Sequence, residues 1–260
     1  MEPRGLMGGF YKISEWIMRL AVINVLWIIC SIPFVFFAWG GLMMGPANAD
    51  DQAIMNQLYT ALVFMGIVAP FTLFPATAAM FSVARKWVMG ETDVPLFKTY
   101  FRSYKENYFQ SMIGGIAYTL LFGIMIVDFI VYQKQLNLMS YIFIALLLLL
   151  VVSLFNFFSM LAHYHMKTFQ LLKNAVLITI GKPIRSFSTA IMAGVVFYMS
   201  TRFTFLIPFF MGSIIAYLSF WNFHLIYQKL QEQAEKAKQL QEEEDEFVEL
   251  ADEGQNPTNK

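Results

Sequence analysis

Three histidines and one cysteine are the whole stock of imidazole and thiolate ligands in this 260-residue chain, and their spacing disperses them. His163 and His165 lie two residues apart, so on a helix they diverge by roughly 200° and cannot hold one ion together. His224 has no Cys, His or Glu companion at ligand spacing. Cys30 sits alone inside an apolar run, which excludes an intramolecular disulfide and a cysteine-based metal cluster. The chain has no Gly-x-Ser-x-Gly, no His-Glu-x-x-His, no phosphate-binding Walker loop and no pair of intramembrane aspartates. These residues predict no catalytic site, no metal site and no cofactor, and the chain is not expected to be an enzyme.

The polar residues inside apolar stretches are the remaining candidates, since such groups are costly in hydrocarbon and tend to be functional. Asp128 and Arg202 fall at matching depths near the outer ends of their stretches. They can form an ion pair, or each can reach the outer interface without touching the other. Asn24, Asn156 and Asn222 fall toward the opposite side, where hydrogen bonds between helices are the expected role.

The elements that must carry these residues are set by composition. Hydrophobic residues make up 58% of the chain and charged residues 14%, against about 45–50% and 25% in soluble domains. A soluble domain of this length cannot bury that much apolar surface. The expected class is all-α: a polytopic transmembrane helical bundle of about six spans, with cytoplasmic interfacial amphipathic helices. About 20 apolar residues cross the ~30 Å hydrocarbon layer. Stretches of that kind occupy residues 20–41, 58–83, 111–131, 140–161, 187–201 and 203–223. The first follows Arg4, Lys12 and Arg19 but is too long for a signal-peptide core, so it reads as an uncleaved span. Pro70 and Pro75 bend or divide the second. The fifth is short, and five spans with a re-entrant piece at 187–201 is the alternative. The transmembrane domain thus covers residues 1–226, and a polar tail covers 227–260.

The basic residues test this layout. Six spans with both termini in the cytoplasm place sixteen Lys and Arg residues inside and only Lys134 and Arg202 outside. The basic residues are spread over several loops, which argues against nucleic-acid binding. Ten of the 18 acidic residues lie between Glu232 and Glu253. That tail reads as a helix over 228–246 that frays into a disordered end. Between the second and third spans, Phe97, Phe101, Tyr104 and Tyr108 fall on one helical face while Lys98, Arg102 and Lys105 fall on another. A basic-aromatic helix over 95–109 fits the cytoplasmic headgroup layer of the lipid bilayer, or a cytoplasmic partner such as an ATPase. Residues 165–176 read as a second, weaker helix of the same kind.

Several ordered motifs resemble one family. Gly9-Phe-Tyr-Lys-Ile-Ser-Glu-Trp16 through Trp27 resembles the opening of the YesL family of bacterial membrane proteins. So do Phe74-Pro-Ala-Thr-Ala-Ala-Met80, Arg85-Lys-Trp87, Gly90-Glu91 and Val94-Pro-Leu-Phe-Lys98, followed by Phe101, Tyr104, Lys105 and Asn107. The carboxyl-terminal half matches more loosely, through Leu172-Lys-Asn-Ala175, and residues 33–72 form a longer connection than the family pattern. The resemblance implies a multi-pass protein of the bacterial cytoplasmic membrane. Family members keep company with carbohydrate-uptake genes, which implies a transport-associated accessory role beside a carbohydrate-transporter subunit or other membrane protein. The loops lack the Glu-Ala-Ala…Gly signature of ATP-driven permease subunits. The alternative is a structural or regulatory membrane protein that recruits a partner through its cytoplasmic helices and acidic tail.

Overall fold

The computed structural model describes residues 6–43, 50–132 and 137–255, and every regular element among them is helical. In chain order these are α1 (Leu6–Cys30), α2 (Ile32–Met43), α3 (Asp51–Val68), α4 (Leu73–Val88), α5 (Leu96–Tyr132), α6 (Asn137–His163), α7 (Thr168–Gly181) and α8 (Pro183–Arg202). A π-helical turn at Ile207–Met211 then leads into α9 (Gly212–Gln255). The chain divides into two compact units, Met1–Asn222 and Phe223–Lys260. Leu120, Ile124 and Val127 on α5 and Leu148 on α6 are among many large apolar side chains left exposed. Soluble monomers rarely show apolar surface on this scale, whereas a bilayer requires it.

Among the described residues four helices are long and apolar enough to cross a membrane, and the bent pair α3–α4 is either a fifth, broken span or a re-entrant loop. The sequence reading gives about six spans, and proline chemistry explains most of the difference. The run 20–41 is not one helix. Pro33 cannot donate to the carbonyl four residues earlier, and its ring crowds that turn, so the helix breaks at Ser31. The Ser31 hydroxyl donates to the Trp27 carbonyl at 2.6 Å, a second bond on an acceptor that also takes the Ser31 N–H. The spanning helix α1 consequently starts well before residue 20, and the apolar α2 that follows is too short to cross alone. The run 58–83 is divided at Ala69–Thr72, around Pro70, into helices inclined by 60°. The stretch 187–201 forms the 20-residue α8. Arg185, Arg202 and several serines and threonines dilute its apolar character.

Residues 95–109 and 111–131 also depart from expectation. They belong to one unbroken helix, the 37-residue α5, which is about 55 Å long at 1.5 Å per residue. Pro95 sits just before its first residue, and no proline follows until the helix has ended. The weaker helix expected over 165–176 is α7, which ends at Gly181 ahead of Pro183. The tail helix runs to Gln255, past residue 246 where the expected helix ended, because Glu, Gln, Ala and Leu all favour helix. Lys134, Asn48 and Lys260 lie outside the described residues.

The centre of the first unit is α4. Its buried set includes Ala76, Ala78, Ala79, Ser82 and Ala84, and these small side chains let α1, α5 and α6 approach closely. The indole of Trp27 on α1 donates to the Thr77 hydroxyl at 2.9 Å, and Trp16 meets Trp87 edge-on. On the other side, Phe74 and Phe81 both lie against Phe158 of α6.

The end of α4 is closed by a Schellman turn. Gly90 adopts φ +92°, with its N–H on the Trp87 carbonyl and the Glu91 N–H on the Lys86 carbonyl. The Lys86 ammonium also bonds the Glu91 carboxylate at 2.8 Å and holds its pKa below the usual carboxylate range. Space around Gly90 is open, so only backbone strain opposes a side chain there. Gly90→Ala is expected to cost about 1 kcal/mol, read as a lowered midpoint in detergent thermal unfolding.

Candidate functional site

The most deeply buried polar side chain of α1 is Asn24, and it reaches the far end of the chain. Its amide nitrogen donates to the carbonyls of Ile207 (3.1 Å) and Pro208 (2.7 Å), and its oxygen accepts the Ser213 N–H at 3.0 Å. The side chain has no exposed surface. The amide is thus inserted between the Pro208 carbonyl and the Ser213 N–H, which a π-turn would otherwise join directly. A side chain lodged in the helix ladder is a physical cause of such a widened turn.

Two further nodes repeat the pattern. Asn156 of α6 donates to the Thr179 hydroxyl of α7 at 3.0 Å, and that hydroxyl donates to the Ala175 carbonyl. The Ser186 hydroxyl of α8 donates to the Thr179 carbonyl, so three helices meet there. Asn222 donates to the Arg185 carbonyl at 2.8 Å and to the Thr189 hydroxyl at 2.5 Å, and its oxygen accepts from the Arg185 guanidinium at 3.3 Å. All three asparagines lie within hydrogen-bond reach of partners on other helices.

Asp128 and Arg202 are not brought together. Arg202 lies over the Tyr198 ring, 5.4 Å from its centroid, and donates to its hydroxyl at 3.3 Å. The ion pairs among the described residues are Arg19–Glu15, Lys86–Glu91 and Arg102–Glu106, and none includes Asp128. The reason is helix neighbourhood: α5 packs mainly on α4 and α6, while α8 packs on α6, α7 and the π-turn. Matching depth along two helices does not make them adjacent. Charge reversals at Asp128 and Arg202 are therefore expected to act additively on thermal stability, and rescue by the double reversal would count against this placement.

The interfacial stripe is split by the packing of α5. Phe97, Lys98, Phe101, Arg102 and Lys105 are exposed, and Tyr104 and Tyr108 are half-buried. The face that docks is instead Thr99, Tyr100, Ser103 and Ser111. Tyr100 is fully buried, and its hydroxyl donates to the Ala76 carbonyl of α4 at 3.0 Å. Sequence reasoning missed Tyr100. The available signal was the small polar series Thr99, Ser103, Asn107 and Ser111, spaced by four, which marks a face able to approach another helix. Near the start of α7, the Gln110 amide donates to the Met166 carbonyl at 2.8 Å, and Arg85 donates to His163 at 3.4 Å.

The lateral surface carries an apolar cavity of about 620 Å³ between α3 and α5, lined by residues such as Leu62, Ile67, Phe71, Leu120 and Ile126. Among the described residues no group of three or more His, Cys, Asp or Glu side chains is placed to hold a metal ion. The chemistry available to the three asparagine nodes is hydrogen bonding between helices.

Residues 20–129 match the family model described as protein of unknown function, DUF624. That match takes in Asn24, the Pro-Ala-Thr run of α4 and nearly all of α5. Over 84% of its length the chain is 27% identical to the uncharacterized protein YteU of Bacillus subtilis (strain 168), covering 84% of that protein. It is 29% identical to YesL of the same organism over 80% of the chain and 84% of YesL. For YesV the identity is 28% over 61% of the chain and 77% of that protein. No solved structure matches. Residues 20–129 thus resemble the DUF624 family, and the chain as a whole is distantly similar to YteU, YesL and YesV.

Proposed function

We propose that the protein is a non-catalytic accessory component of a transport system in the bacterial cytoplasmic membrane, acting by contact, with both termini in the cytoplasm. Carbohydrate uptake is the setting that the resemblance to the YesL family suggests. The observation that carries the contact reading is the use made of the buried amides. Asn24, Asn156 and Asn222 are engaged in ties between helices, and those ties hold the bundle's shape. Such a protein supplies a shaped surface to a neighbour.

Affinity purification of the full chain in mild detergent tests this. Permease subunits are expected to co-purify, and vesicles holding this protein alone are expected to accumulate no sugar. Uptake by the protein alone would overturn the proposal. The orientation has its own check: reporter fusions after Asn48, Lys134 and Lys260 are expected to read outside, outside and inside.

A second reading, a regulatory protein that recruits a partner through its tail, is favoured by one observation. Residues 228–243 of the second unit are exposed all round the helix. A soluble protein retained by the full chain and lost on removal of residues 228–260 would select this reading.

A further inference from the structure

The amino-terminal part of α5 and the start of α7 come together at one point, and their exposed residues share a chemistry. Lys98, Arg102, Lys105 and Phe109 fall at i, i+4, i+7 and i+11, a single stripe along α5. All four are exposed, and Phe109 is 71% accessible. Phe97 and Phe101 flank the stripe at 61% and 44%. The stripe does not end with α5. Gln110, the next residue, holds the Met166 carbonyl at 2.8 Å, and just beyond Met166 come the exposed Lys167 and Phe169, the latter 80% accessible. Two segments some sixty residues apart in sequence thus present ammonium or guanidinium groups interleaved with bare aromatic rings.

The acidic residue on this part of α5 is Glu106, which pairs with Arg102 at 3.4 Å. Both side chains are largely exposed, so the pair is weak and leaves most of the Arg102 N–H groups turned to solvent.

We infer that this composite surface binds anionic phospholipid of the adjoining leaflet, with the phenylalanine rings entering the headgroup–acyl boundary and the basic groups bonding lipid phosphates. Charge complementarity selects this occupant. The α5 stripe runs directly into an apolar span, which sets Phe109 beside the leaflet and Lys98 about 17 Å farther along the helix. Basic residues beside an anionic leaflet are each worth about a five-fold preference, and the rings add the apolar transfer term. The inference goes beyond the accessory reading and stands without it.

Full-length protein on a Cys30→Ala background, carrying Phe109→Cys or Phe169→Cys with an environment-sensitive fluorophore, tests it. The labelled protein is reconstituted in nanodiscs of phosphatidylcholine, with or without phosphatidylglycerol, containing lipid spin-labelled near the headgroup. Both positions are expected to be quenched at least two-fold more when phosphatidylglycerol is present, and high salt is expected to remove the difference. Neutralising Lys98, Arg102, Lys105 and Lys167 to glutamine should abolish it at both positions. The salt titration gives the same reading on the unneutralised protein if that variant fails to fold. Equal quenching in the two lipids, or a salt-insensitive difference, would overturn the inference. Absence of quenching at both positions would also overturn it and would indicate a surface reserved for a protein partner.

Discussion

Replacing Asn24 with leucine is expected to destabilise the detergent-solubilised protein by about 2–4 kcal/mol, the largest effect of any single polar substitution in the bundle. Leucine keeps the branched outline of asparagine but its two methyl groups are bulkier, so overpacking at this fully buried position adds to the loss of hydrogen bonds. Three bonds disappear together: two to the Ile207 and Pro208 carbonyls and one from the Ser213 N–H. Hydrogen bonds between membrane helices average about 0.6 kcal/mol, while a buried polar group left without a partner costs about 1–3 kcal/mol. Three bonds at the first figure set the lower bound, and the stranded groups raise the total. The turn can recover a direct Pro208–Ser213 bond only by closing the gap that the amide fills. Asn24→Asp separates the contributions. Its carboxylate still accepts from Ser213 but faces two carbonyl oxygens, so the variant should be unstable at neutral pH and recover as the carboxyl protonates and gains a donor. Thermal unfolding of the three proteins across pH measures this, and wild-type stability in the leucine variant would refute the role given to Asn24.

The second large effect is steric. At Gly115 of α5 an added Cβ would meet the Phe74 ring at 2.8 Å and the Pro70 Cα at 3.0 Å. The ring can move a little, but the Pro70 backbone lies in the break between α3 and α4 and cannot. Gly115→Val is therefore expected to separate α5 from the α3–α4 bend and abolish a monodisperse folded species. Gly114 differs in an instructive way. The nearest atoms its Cβ would meet all belong to the Phe157 ring, so Gly114→Ala should cost about 1–3 kcal/mol. Shortening Phe157 to leucine should then restore part of that loss, whereas Phe74→Leu should not rescue Gly115→Val. Size-exclusion profiles and unfolding midpoints of the four variants decide the matter. A well-folded Gly115→Val protein would show that the helices are not in this contact.

Much of this was legible in the sequence, for identifiable reasons. Hydropathy marks the apolar runs because hydrocarbon imposes the same demand on each residue of a span. Pro70 announced the bend between α3 and α4, and the isolation of Asn24, Asn156 and Asn222 in apolar surroundings announced that each needs a partner. What stayed hidden was lateral. The pattern along one helix gives depth and face but not the identity of its neighbour. This is why Asp128 and Arg202 matched in depth yet lie on helices that are not packed closely on each other, and why Tyr100, an aromatic residue in a run of aromatics, was not singled out as the one that docks. Pro33 was visible as well, but its effect depended on a choice. A proline inside a span either kinks it or ends it, and here the break at Ser31 made α2 a separate short helix.

The Asn24 bridge also dictates an order of events during synthesis. Asn24 is separated from Ile207 by 183 residues. A ribosome working at roughly 5–20 residues per second needs on the order of ten to forty seconds to produce the partner after the asparagine has emerged. Throughout that interval the first helix carries an amide whose three final bonds do not yet exist. Closure by the π-helical turn and the start of α9 makes synthesis of residues 207–213 the event that settles the first helix. A nascent chain stopped before Ile207 keeps an unmet polar group in its oldest helix, a mark by which membrane quality control can tell an unfinished molecule from a finished one.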